Sequence, residues 1–279
     1  MKSRIGILTD DTAQYTVDKF SGSHLVHTLP ISIDSNSLNS IQDKNEQKQP
    51  LAYCTNRNNH PATEEDIRKT LLCLNEKYNE IIIPVLSKQI NPLYYLIEES
   101  IAKLPNSASF HLVDSQTIAI GLGIIVQIAA GSASRNIPID DIKQKIRSAV
   151  PKIYSIFCVK NLSYLYWSGL IDLAQAVVGE YLGLSPCLCL ETGRLIPMHK
   201  AKNLRHCIDL FWEFALEFDN INNIALIYGD GFELQDFHIL RSRINHHFST
   251  ATFSEHKINK ATSSILGPQT IGLVIMEDI

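Results

Sequence analysis

Three times in the first half of the chain, a short β-branched apolar run ends in small polar residues and gives way to a helical pattern. Ile5–Leu8 ends in Thr9-Asp10-Asp11-Thr12, Glu80–Leu86 ends in Ser87-Lys88-Gln89-Ile90-Asn91, and Phe110–Asp114 leads into Ser115. Continuous rather than alternating apolar runs suit strands buried on both faces. Strands that alternate with helices build a parallel sheet with helices on its faces. Such a sheet collects its polar turns at the carboxyl edge, where ligands bind in open α/β folds.

The segments between follow the same logic. His24–Ile33 reads as another strand, which Pro30 confines to an edge or an end. Asp34–Pro61 is polar and aperiodic and reads as a long loop. Thr63 is a good N-cap for a helix predicted to run to Lys77, with acids in its first turn and Ile67, Leu71, Leu72 and Leu74 as its apolar stripe. Pro92 suits the first turn of a helix carrying Leu93, Leu96, Ile97 and Ile101. The apolar run from Ile118 to Ala130 is shorter than the ~20 residues a membrane span needs, so it predicts a buried helix.

Beyond an amphipathic helix behind Pro138 the pattern changes. Tyr154–Val159 reads as a strand and Asn161–Gly183 as two helical segments. Ser185–Leu190 and Leu195–Met198 form a hairpin around Glu191-Thr192-Gly193-Arg194. Asn203–Phe218 is predicted helical, Asn223–Tyr228 a strand, Leu234–Phe248 mostly helical and Ile271–Met276 a closing strand. The expectation is a two-domain α/β protein. Residues 1–150 form an N-terminal parallel-sheet, Rossmann-like domain, and residues 151–279 a C-terminal domain with a mixed or antiparallel sheet and helices.

Charge and motif content narrow the function. A formal net charge of -4 argues against nucleic acid as a partner, because phosphate neutralisation needs a basic surface. Met1-Lys2-Ser3-Arg4 leads straight into the first strand without a signal-like apolar region, so a cytoplasmic protein that is not integral to a membrane is expected. No GxxxxGK[ST], GxGxxG or GxSxG pattern occurs, and His238, His246, His247 and His256 lack ligand partners at metal-site spacing. The six cysteines form no CxxC pair and read as buried, reduced thiols. No catalytic residue, metal or cofactor is therefore expected. Asp10-Asp11 could hold a cation, though an N-cap and an Asx turn explain the pair more simply. The remaining polar clusters are Thr9–Thr12, Asn58-Asn59, Ser87–Asn91, Asp114-Ser115 and Ser263-Ser264. They offer hydrogen-bond donors without an activated nucleophile, which suits holding a carboxylate or phosphate.

The order of these clusters resembles the DegV family over nearly the whole chain. Ile7-Leu8-Thr9-Asp10-Asp11-Thr12-Ala13 is similar to its opening TDSTA segment. Leu112-Val113-Asp114-Ser115 with Gly121-Leu122-Gly123 is similar to its VDS…GxG, Val159–Leu165 to its VxxLxYL, and Gly267-Pro268 with Gly272 to its terminal GPG…G. The resemblance implies two α/β domains that bind a long-chain fatty acid between them and are not an enzyme on their own. In some members the protein is the binding subunit of a fatty acid kinase: it buries the acyl chain and presents the carboxylate to a separate catalytic subunit.

Several positions depart from that pattern. The family's TSQP turn is Asn58-Asn59-His60-Pro61 here. Its SSxLSGTY loop is Ser87-Lys88-Gln89-Ile90-Asn91-Pro92-Leu93-Tyr94, so the serine that holds the carboxylate becomes Asn91. Its GGRI is Ser168-Gly169-Leu170-Ile171, the histidine before GPG is Ile265, and KxR is Lys200-Ala201-Lys202. The resemblance thus assigns Asn58, Asn59, Ser87, Asn91, Ser264 and Ile265 to the ligand and Lys202 to partner docking. Ile153, Phe157, Leu162, Leu165, Leu170, Ile171, Leu182 and Ile227 are candidates to line the acyl site, though a plain core predicts the same residues. Three readings stay open: delivery of an acyl chain to a kinase, a lipid carrier or sensor without a kinase partner, and an enzyme acting on a small anionic metabolite with Asp10, Asp11 or Asp114.

Overall fold

A computed structural model describes residues 3–31, 63–104 and 109–278. The whole of the predicted polar loop, with Asn58 and Asn59, lies outside them. The first half supplies β1 (Ser3–Asp10), β2 (Val26–Leu29), α1 (Glu64–Lys77), β3 (Tyr78–Val85), α2 (Leu93–Ala102), β4 (Ser109–Asp114), α3 (Ile120–Ser134) and α4 (Ile139–Ala149). Its four strands pair in the order β2-β1-β3-β4, all parallel. β2 is an edge strand, as Pro30 requires. A one-turn 3-10 helix replaces the beginning of the strand predicted there.

The second half supplies β5 (Ile153–Cys158), α5 (Leu162–Trp167), α6 (Leu173–Tyr181), β6 (Ser185–Glu191), β7 (Arg194–Ala201), α7 (Leu204–Ala215), β8 (Ile221–Tyr228), α8 (His238–His247), β9 (Thr252–Lys257), α9 (Lys260–Leu266) and β10 (Ile271–Glu277). These strands pair in the order β7-β6-β5-β10-β8-β9, antiparallel except for β8 with β9. The protein is thus α/β, with a parallel sheet and a mixed sheet.

Strand periodicity divides the core. Ile153 and Phe157 on β5, with Val159 just beyond it, face the first half, in one apolar cluster with Ala225, Ile227, Val274 and the buried helix α3. The alternate residues Ile156 and Cys158, with Leu226, Leu273 and Ile275, face α7 and α8 in a second cluster. The run predicted as a buried helix is α3, whose residues are nearly all enclosed. Among the described residues no helix is long and apolar enough to cross a membrane.

Candidate functional site

The carboxyl edge of the parallel sheet is knitted together by its own polar turns. Asp10 ends β1. Its Oδ1 accepts from the Thr12 N–H at 3.0 Å and from the Thr12 hydroxyl, and its Oδ2 accepts from the Leu86 N–H at 2.8 Å. This is the Asx turn that the sequence suggested, extended across to the neighbouring strand. Ser87 N–H donates to Thr117 O at 2.9 Å and Ser115 N–H to Val85 O at 3.1 Å, joining the turns after β3 and β4. Asp11 Oδ1 accepts from the Ile31 N–H at 2.9 Å beside β2. Burial pushes the Asp10 carboxyl up to about 6, against the hydrogen bonds that favour its charged form, and burial also raises Asp11. In the turn after β4, Gln116 and Ala119 hold φ of 53° and 57°, a conformation that costs a residue with a side chain roughly 1–3 kcal/mol.

Two elements of the second half close onto this edge. The first is the tip of the β6–β7 hairpin. Glu191 pairs with Arg194, leaving Thr192 and Gly193 at φ 47° and 83°, the left-handed pair that a two-residue hairpin demands. Ser87 Oγ donates to Gly193 O at 2.7 Å, and Arg194 Nε donates to Gln89 Oε1 at 3.3 Å. A Cβ on residue 193 would lie 2.3 Å from Ser87 Oγ, so the seat accepts only glycine. Ser87→Ala is expected to cost about 1–2 kcal/mol by stranding the buried Gly193 carbonyl, read as a lowered urea midpoint.

The second element is α9. Asn259 caps it through the Thr262 N–H, while Asn259 Nδ2 donates to Asp11 O at 2.9 Å and Thr262 Oγ1 donates to Thr12 O at 3.2 Å. Gln14 braces the same seam: its Nε2 donates to Lys257 O at 2.9 Å and its Oε1 accepts from the Asn259 N–H at 3.1 Å.

The predicted site residues fall on both sides of this junction. Ser87 is fully buried, and its hydroxyl proton is committed to Gly193. Asn91 is half-buried, and its Oδ1 accepts from the Leu93 N–H at 3.0 Å at the start of α2; its amide N–H groups have no acceptor among the described residues. Ser264 and Ile265 lie inside α9, not in a loop. Ser264 Oγ donates to Ala261 O at 2.7 Å, and Ile265 is buried in the apolar cluster between the two sheets. Lys202 is exposed between β7 and α7, away from the junction. Of the proposed acyl-lining residues, Ile153, Phe157, Leu162, Leu165 and Ile227 are buried in that cluster and Leu170 and Ile171 flank it, but Leu182 is 60% exposed. Asp114 accepts from the Lys88 and Gln116 N–H groups and faces Lys88 Nζ at 3.8 Å.

Sequence reasoning passed over two cations at the junction. Lys88 lies over the Tyr94 ring at 5.2 Å, within the turn that carries Asn91, and Arg194 stands on the hairpin tip. A basic residue inside a polar strand-end turn was the available signal for Lys88. Arg194 reaches the junction only through the hairpin's tertiary placement.

Comparison with known proteins agrees with the geometry. A sequence model described as "Uncharacterised protein, DegV family" matches residues 4–278. A DegV domain-containing protein of Staphylococcus aureus is 24% identical over 244 residues, 82% of this chain and 83% of the relative. Among solved structures, a fatty acid binding DegV family protein from Streptococcus agalactiae superposes with a TM-score of 0.79 at 18% identity, covering 99% of both chains. The fatty acid kinase B3 protein of Streptococcus pneumoniae, loaded with linoleic acid, superposes with a TM-score of 0.76 at 12% identity, covering 99% of this chain and 100% of that one. With the family's sequence pattern matched almost end to end and its fold reproduced, this chain belongs to the DegV family.

Proposed function

We propose that this protein binds a long-chain fatty acid between two domains that divide near residue 150, with the carboxylate at the junction and the acyl chain in the C-terminal domain. The observation that carries this reading is the position of Asn91. Its half-buried amide sits on the carboxyl edge of the parallel sheet, where the hairpin tip and α9 bring the second half against the first. An amide donates well to a carboxylate, and Lys88 in the same turn favours an anion. Ser87 contributes by pinning the hairpin tip, since its proton is already given to Gly193. Ser264 and Ile265 border the ligand from α9, and Asn58 and Asn59 contribute further amides. The chain is read as a binding protein rather than an enzyme, with the fatty acid as its ligand and no cofactor. Solved relatives described as fatty acid binding support the ligand class.

The energetics are consistent. Burying a dozen methylenes at ~0.8 kcal/mol each gives on the order of 10 kcal/mol before association costs. The head group cannot follow the chain into the core unpaired, so it stays where donors are. Mass spectrometry of organic extracts from the denatured protein tests the reading. A stoichiometric long-chain acid is the expected result. A lipid-free extract from protein that also refuses added fatty acid would overturn it and turn attention to small anionic metabolites. Asn91→Ala is expected to weaken fatty acid affinity by about 1–3 kcal/mol, roughly five- to 150-fold, by calorimetric titration. Unchanged affinity would remove Asn91 from the head-group site.

A second reading, a lipid carrier or sensor without a kinase partner, is favoured by two replacements. Leu170 and Ile265 stand where the family pattern has an arginine and a histidine. Delivery to a kinase subunit would rest on the exposed Lys202. Loss of acyl-phosphate formation in the Lys202→Glu protein, with fatty acid binding intact, is the outcome that would favour delivery.

A further inference from the structure

Cys158, Cys187 and Cys207 come from β5, β6 and the amino end of α7, yet their three Sγ atoms lie within 4.8 Å of one another. Strand register explains the first two. Val159 N–H donates to Pro186 O at 3.0 Å, which marks that facing pair as hydrogen-bonded. The next pair, Cys158 opposite Cys187, is then a non-hydrogen-bonded pair, the arrangement in which facing side chains stand closest. Both project onto the face covered by α7, where Cys207 sits one turn into the helix and completes the triangle. All three are buried, on the face of the sheet opposite Phe157 and the proposed acyl site.

We propose that Cys158, Cys187 and Cys207 form a binding site for a thiophilic d10 metal ion of the zinc or copper(I) class, held by three thiolates. A Zn–S bond of about 2.3 Å sets sulfurs about 3.8 Å apart in a tetrahedral site, so the widest edge of this triangle need contract by only about 1 Å. A donor set of sulfur alone selects soft ions over magnesium, calcium or manganese. The placement also offsets part of the charge. Cys207 follows the capped amino end of α7, where the helix dipole favours thiolate. His199, opposite Cys187 on β7, and His206, beside Cys207, bring imidazoles to the rim. Thiols must shed their protons to ligate, so metal entry releases protons to solvent. Spacing rules missed this trio because the convergence is purely tertiary: each cysteine belongs to a different element.

The test is titration of the intact, reduced protein with Cd2+, a spectroscopically visible ion of the same class. One equivalent should bind with a sulfur-to-cadmium charge-transfer band. The band should vanish in Cys187→Ala and in Cys207→Val and persist in Cys73→Ala and Cys189→Ala. An undiminished band in folded Cys187→Ala protein, or none in the wild type at excess Cd2+, would overturn the proposal. Because core substitutions can unfold the protein, the cadmium-113 resonance of the wild type provides a second reading that needs no variant. A shift characteristic of three sulfur ligands supports the site, and a resonance in the oxygen and nitrogen range, or no bound resonance, rejects it.

Discussion

Gly123→Ala should destabilise the protein by about 3 kcal/mol or more and lower its thermal midpoint by roughly 6–12 °C. In an isolated helix the same change would be favourable by ~1 kcal/mol. The sign reverses here because the chain segment after β1 crosses α3 at this position. An added Cβ would lie 1.7 Å from the Gln14 carbonyl oxygen and 2.5 Å from its carbon, and both are backbone atoms. Gln14 cannot easily retreat. Its N–H donates to Ala119 O at 3.1 Å, and its side chain is tied to Lys257 and Asn259 across the junction. Room for alanine could come only from loosening the contact that seats α9 on the turn after β1, so ligand affinity should fall along with stability. Gly131 on the same helix is the internal control. Its nearest neighbour would be Ser21 O at 3.9 Å, so alanine there should be neutral or stabilising. Equal midpoints for Gly123→Ala and Gly131→Ala would show that the two segments do not approach this closely.

Much of this arrangement was legible from sequence, for identifiable reasons. β1, β3 and β4 announced themselves as apolar runs with polar ends, and the hairpin as two strands around Thr192-Gly193. Two elements were not legible. β9 is a half-buried edge strand, Thr-Phe-Ser-Glu-His-Lys, whose parallel pairing with β8 supplies the order that its composition does not announce. α9 is a short helix whose Thr262-Ser263-Ser264 reads as a turn. Asn259 caps it and Ala261, Ile265 and Leu266 bury it, so packing overrides its weak intrinsic preference. The site divided in the same way. Ser87 was legible as a polar residue at a strand end, but its partner Gly193 lies 106 residues away and emerges only when the second sheet is placed. The Gly121-Leu122-Gly123 motif was legible as part of a family pattern. Its physical cause, a backbone crossing at Gly123, was not.

Between pH 4 and pH 7, the stability advantage of the wild type over Asp10→Asn should shrink by roughly 2 kcal/mol. Asp10 is fully buried, and its folded-state pKa is raised from 3.8 to about 6, chiefly by desolvation, with a smaller contribution from the charge of Asp11. A carboxyl that holds its proton more tightly folded than unfolded makes the folded state the better proton binder in that window. Stability from this group is therefore complete below about pH 4, falls as pH rises toward 6, and is level above it. Asparagine does not titrate, so the difference between the two proteins isolates the group from every other acid. The absolute level at pH 4 carries a second effect. The Asp10 oxygens accept from the Thr12 N–H, the Thr12 hydroxyl and the Leu86 N–H, and an asparagine must turn an NH2 toward one of these donors. That mismatch costs about 1–3 kcal/mol and should leave the variant the weaker protein in acid, where the wild type carries no buried charge. Near neutral pH, relief of that charge offsets the mismatch, so the two proteins should converge or exchange order. Urea midpoints of both proteins across the range decide the matter. A difference that stays constant would mean that Asp10 ionises as freely in the fold as in the unfolded chain, and one that widens with pH that it ionises more readily there. The turns after β1 and β3 would then be held together without the strained carboxylate assigned to them here.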